Sequence, residues 1–142
     1  VVNKADREIV QHIDQAFAAL IASLKDLARS VPPGALLRSA AAIEQMCGGL
    51  SANLWDDPFE WTLPETLSNA ERVIEYLDEV DGARQRAFDS IDDAALTKYI
   101  SVPSGESRQL ISVLLETLVK ASEYRGRAAK SVNRRDAEAA QR

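Results

Sequence analysis

The sequence predicts an all-α protein, a four-helix bundle joined by two longer connectors. Three observations carry this. Apolar residues recur at spacings of three and four through four separate stretches. No stretch has the period-two alternation of a strand-rich protein, apart from a few residues around Tyr99. The punctuation, Val31-Pro32-Pro33-Gly34, Asp56-Asp57-Pro58 and Pro103-Ser104-Gly105, falls between the periodic stretches.

The first helix is expected over residues 4–29. Ile9, Ile13, Phe17, Leu20, Leu24 and Leu27 form its stripe, and Val31-Pro32-Pro33-Gly34 ends it. The second is expected over residues 35–54, with Leu36, Leu37, Ala40, Ile43, Cys47, Leu50 and Leu54 inward. Gly48-Gly49 interrupts it and predicts a kink or a tight helix contact. Trp55, Phe59 and Trp61 then cluster in a loop expected to pack over the bundle end as a lid, or else to line the mouth of a ligand pocket. Thr62-Leu63-Pro64-Glu65 has the form of a capping box opening a third helix that runs to about residue 90. Its stripe is Leu67, Ala70, Ile74, Leu77, Val80 or Asp81, Arg84, Ala87, Phe88 and Ile91. In the second connector, Asp92-Asp93 suits the cap of one helical turn and Tyr99 to Val102 is extended. Ser104 is placed to cap a fourth helix over residues 106–130. The chain thus reads as one domain over residues 1–130, with a polar tail, frayed or disordered, at 131–142.

Composition narrows the function classes. The chain has 142 residues, 46% hydrophobic and 27% charged, as a single soluble domain requires. A net charge of −5 argues against nucleic acid as the main partner. From Arg125 to Arg142 there are six basic and two acidic residues, which fits cations gathering at a helix C-terminus. No apolar run reaches bilayer length, so no membrane partner is expected. The first residues lack the basic-then-apolar pattern of a signal peptide. Cys47 is the single cysteine, so no internal disulfide forms and a reducing cytoplasm is the expected setting.

The chemistry-bearing residues are few. Cys47 on an apolar face reads as a core residue before a nucleophile. His12 is the lone histidine, on the edge of its stripe and without an activating partner in the sequence. The pairs Asp56-Asp57 and Asp92-Asp93 suit turns and caps better than acid–base work.

The fourth helix carries Lys120-Ala121-Ser122-Glu123-Tyr124-Arg125-Gly126-Arg127. With the order of elements before it, this resembles the DinB-like four-helix bundles, a family that includes bacillithiol transferases and is related to mycothiol-dependent isomerases. The resemblance spans roughly residues 4–130. There the last helix carries His-x-x-x-His-Arg-Gly-Gln, so Lys120 and Tyr124 stand at the metal-binding histidines, and the third histidine falls near Ala41 or Ala42. Arg125 and Gly126 match, and Arg127 replaces the glutamine. With His12 alone, a three-histidine site cannot be built, so the resemblance implies a lost metal site and no cofactor.

Two roles follow from it. One is a cytoplasmic binding or structural protein, a homodimer through helix faces, with a possible small-molecule ligand at Glu44, Thr117, Lys120 and Tyr124 of the former cavity. The other is a metal-independent transferase, thiol-dependent or of another kind, that uses those same polar groups. A closed polar cavity between the second and fourth helices favours the enzyme; a gap filled by Ile43 and Leu114 favours the binding protein. In the former cavity, Lys120 either replaces the ion's charge, paired with Glu44 or Glu116, or reaches solvent. An unrelated helical adaptor is the third reading.

Overall fold

The computed structural model describes residues 4–55 and 69–140. Among them, four α-helices form a bundle: α1 (Glu8–Leu27), α2 (Leu37–Ala52), α3 (Ala70–Asp89) and α4 (Leu110–Ala140). Short 3-10 turns at Lys4–Arg7 and Pro33–Leu36 lead into α1 and α2, and a third at Asp93–Thr97 follows α3. A small antiparallel ribbon, β1 (Tyr99–Ser101) and β2 (Ser107–Gln109), leads into α4.

The pairings give the helix directions. Arg29 meets Glu71, Lys25 meets Asp78 and Arg84 meets Asp14, so α1 and α3 run antiparallel. The short Pro-Gly turn sends α2 back along α1, so α2 and α3 point the same way. The end of α2 and the start of α3 therefore lie at opposite ends of the bundle. α2 packs most extensively against α4 and α3, and α1 against α3.

The start of α1 and the end of α3 are tied to one another. The Asp93 carboxylate accepts from the backbone N–H groups of Ile9 (3.1 Å) and Val10 (2.9 Å), satisfying donors that the first turn of α1 leaves unpaired. In return Arg7 donates to the carbonyls of Phe88 (2.6 Å) and Ile91 (3.0 Å) at the end of α3. The two residues clasp the start of α1 to the end of α3. Asp92 caps the intervening 3-10 turn by accepting from Ala95 N–H at 2.9 Å.

The core runs the length of the bundle. Val10, Phe17, Leu24, Leu37, Ile43, Cys47, Leu77, Phe88 and Leu114 are fully buried. Phe17 and Phe88 meet at 5.7 Å between centroids with rings tilted by 45°, a favourable aromatic geometry.

Five expectations need correction. Ile9 is 52% exposed, and Val10 takes the inward place; three residues back from Ile13 is Val10. Leu54 is 60% exposed because Asn53, at φ 55°, ends α2 in a left-handed turn that swings Leu54 outward. Asn53 and Leu54 N–H bond the Gly49 and Gly48 carbonyls, each at 3.0 Å, as helix-ending turns do. The glycine pair instead faces the chain that follows α2, the Leu54 carbonyl at Gly48 and the Trp55 ring at Gly49. A Cβ on Gly49 would overlap the Trp55 indole, so glycine is there to seat that ring. A helix continuous from Thr62 to residue 90 does not form, because Asn69 is extended (φ −142°, ψ 163°) and caps α3 through Arg72 N–H at 2.9 Å. The Thr62-Leu63-Pro64-Glu65 start, Asp56-Asp57, Phe59 and Trp61 lie outside the described residues. Finally, α4 starts at Leu110, not at a Ser104 cap. Residues 107–109 are drawn into the ribbon, and Leu110 N–H bonds the Lys98 carbonyl at 2.9 Å. At its other end the α4 helix continues to Ala140.

The seating of Trp55 on Gly49 is testable. Gly49→Ala should destabilise the fold by about 1–3 kcal/mol in urea unfolding, since overpacking forces the ring to move. A shift in native tryptophan emission should accompany it. An unchanged midpoint would mean that the indole does not rest on this glycine.

Candidate functional site

The place to look for a site is the seam between α2 and α4, where the polar candidates were expected to converge. That seam is closed. Ser39 donates its Oγ proton to the Ala121 carbonyl at 2.7 Å, and both residues are fully buried. Ala40, Ala41, Ile43 and Leu114 fill the levels around them, each at most 2% exposed. Small side chains allow the two backbones to approach, and the buried residues pack the seam at these levels.

The four candidate residues do not gather at one point. Glu44, on α2, accepts a hydrogen bond from the Tyr76 hydroxyl of α3. Thr117 is half-buried on α4. Tyr124 is half-buried, with the Arg127 guanidinium 5.6 Å from its ring centre, within cation–π range. Lys120 is exposed and, among the described residues, forms no ion pair. Lys120 therefore does not replace a buried cation. Its proposed partners are engaged elsewhere: Glu44 with Tyr76 and Glu116 with Arg108. The Arg108 guanidinium beside Glu116 holds that carboxyl below its ordinary range.

Arg125, the matching arginine of the motif, has its Nε buried with no hydrogen-bond partner among the described residues. His12 is exposed. Among the described residues, no group of three or more His, Cys, Asp and Glu stands where it could hold a metal ion.

The structure brings together a polar group that periodicity alone did not reveal. Arg84 is only 9% exposed, on the inner face of α3. It donates to Asp81 at 2.8 Å and to Asp14 of α1. Burial alone would lower the Arg84 pKa; the hydrogen bonds that Arg84 donates to Asp81 and Asp14 outweigh it, and the net shift is upward. The charges of Arg84, Asp14 and Glu44 also reach Cys47. The available signal was an arginine on an otherwise apolar stripe, since a charge there must bring its partners with it.

Cys47 itself is fully buried. Burial, helped by Asp14 and Glu44 and opposed by Arg84, pushes its thiol up to about 12. Such a thiol is protonated at neutral pH and is no nucleophile. Compared with models of known protein families, with curated proteins and with solved structures, the chain matches none.

Two measurements check this. Arg84→Ala should cost about 2–3 kcal/mol in urea unfolding, because it leaves two partly buried carboxylates without their cation. Arg84→Met, which keeps the stem, should recover part of that loss. A cost under about 0.5 kcal/mol would mean that the cluster behaves as an exposed ion pair.

For Cys47, raising the pH past about 9 ionises the thiol in the unfolded chain first, while the folded chain keeps its proton to about 12. Stability therefore falls through that window, by up to about 1.4 kcal/mol per pH unit. Cys47→Ala should lack this component, so between about pH 8 and pH 10 it should lose roughly 1 kcal/mol less than the wild type. Equal losses would mean that the thiol is not shielded.

Proposed function

We propose that the chain is a DinB-like four-helix bundle without a metal site, and that it acts by binding another protein through its surface. The observation that carries this reading is the filled seam between α2 and α4. Ile43, Leu114 and the Ser39–Ala121 contact occupy the space that a buried reaction chamber would need. The likeness to DinB-like bundles rests on the order of elements and on Arg125-Gly126 in the last helix. The missing histidines argue for a member that has given up metal-assisted thiol transfer. Catalysis by the remaining polar groups finds less support, since Glu44, Lys120 and Tyr124 have different neighbours and Cys47 is a buried, protonated thiol.

What remains is the outer surface. On α4, Leu115 is 44% and Val119 57% exposed, beside Glu116, Lys120 and Glu123 along a shallow groove. Among the described residues, no helix is long and apolar enough to cross a membrane, so a bilayer-spanning role is not what this apolar surface serves.

The test is the melting temperature scanned against zinc, nickel and manganese, with the metal content of the purified protein measured alongside. The expected result is no shift and no stoichiometric metal. A rise of several degrees at sub-millimolar ion would overturn the reading, because it requires a ligand set that the described residues do not offer.

A further inference from the structure

We propose that the partner is a second copy of this chain, docked antiparallel along the outer face of α4. This deepens the reading of the protein as an interaction module and rests on it.

Leu115 and Val119 lie one turn apart on α4 and are among the large apolar side chains left exposed. Beside them runs a row of exposed charges: Glu116, Lys120, Glu123 and Arg127. The signs alternate along the helix, minus, plus, minus, plus. That order has a specific consequence for self-association. In a parallel, in-register pair every charge meets its own kind. In an antiparallel pair the row is read backwards, and every charge meets its opposite. Glu116 then faces Arg127 and Lys120 faces Glu123, with a two-fold axis midway between Ala121 and Ser122.

The apolar residues obey nearly the same axis. Val119 comes opposite Ser122 and Leu115 opposite Gly126, for an axis one residue away, or about 1.5 Å along the helix. Ser122 is exposed, and a Cβ built on Gly126 meets nothing within 4 Å. The larger side chains of one copy would thus seat against small residues of the other. Arg108 already holds Glu116 within the chain, so the second copy brings Arg127 to a carboxylate that has one cation beside it.

The size of the face sets the strength. Two helix faces bury less than the roughly 1,200 Å² of a standard stable complex. The dimer should therefore be in exchange with monomer and should weaken in high salt as its charges are screened.

The experiment is sedimentation velocity of the full chain over a concentration series, with circular dichroism to confirm that each variant is folded. Wild type should move from monomer to dimer. Lys120→Glu with Arg127→Glu makes the row wholly acidic, and Glu116→Lys with Glu123→Lys makes it wholly basic. Each double variant alone should associate at least about tenfold more weakly. Mixed one to one, they should form a heterodimer at concentrations where neither self-associates. A wild type that stays monomeric to about 1 mM overturns the self-pairing. So does a dimer that both double variants retain, or a mixture that does not associate. In each case a silent metal scan would leave the interaction reading standing. A positive metal scan overturns that reading even if a dimer forms.

Discussion

Ser39 gives its hydroxyl proton to the Ala121 carbonyl across a seam from which water is excluded. That bond satisfies the one hydroxyl on the inner face of α2 that would otherwise be buried unpaired, at a cost of about 1–3 kcal/mol. It also requires the two helices to be close, because a serine side chain reaches no further than its Oγ. Ala40, Ala41 and Ala121 provide that closeness. Where α2 and α4 are in contact, Ala40, Ala41, Ile43 and Leu114 are packed to near-complete burial. Among the described residues, the exposed apolar side chains of α4 then lie on the surface turned away from this contact.

The opposite side of the bundle is held differently. α1 and α3 face one another through ion pairs, Arg29 with Glu71, Lys25 with Asp78 and Arg84 with Asp14. The outer pairs are solvated and add little. Arg84 is the exception, because it is buried among apolar neighbours and depends on both carboxylates. Such a cluster specifies alignment more than it adds stability: sliding α1 by one turn would leave a charge unpaired inside the core. The clasp of Arg7 and Asp93 sets the same alignment at the helix ends, where each side chain fills the unpaired backbone groups of the other element.

Among the described residues, the four helices and most inward-facing positions were legible in the sequence, because burial imposes a period that survives without coordinates. Ile13, Phe17, Leu24, Ile43, Leu77 and Phe88 were found that way. The errors fall where a non-local partner decides. Residues 107–109 carry no helix-breaking residue, yet they are extended because Tyr99–Ser101 is there to pair with them. Gly48-Gly49 suggested a kink, and only the position of Trp55 explains it. Asp93 was read as a local cap, but it also caps α1 from 84 residues away in sequence. The candidate site was the least legible part, since its four residues were grouped by resemblance and the fold gives them different neighbours.

The geometry of α4 explains why that grouping does not close. Leu114, Ala121 and Ala128 mark its buried line, in steps of seven residues. Lys120 lies one residue before Ala121, a rotation of about 100° around the helix axis. Tyr124 is likewise one residue before Arg125, whose Nε is buried. Side chains at 120 and 124 therefore flank the contact with α2 rather than point into it. Two imidazoles placed there would meet solvent or the helix edge before they met a ligand from α2. The side of α4 turned away from α2 is where the exposed Leu115 and Val119 lie, within a row of alternating charges.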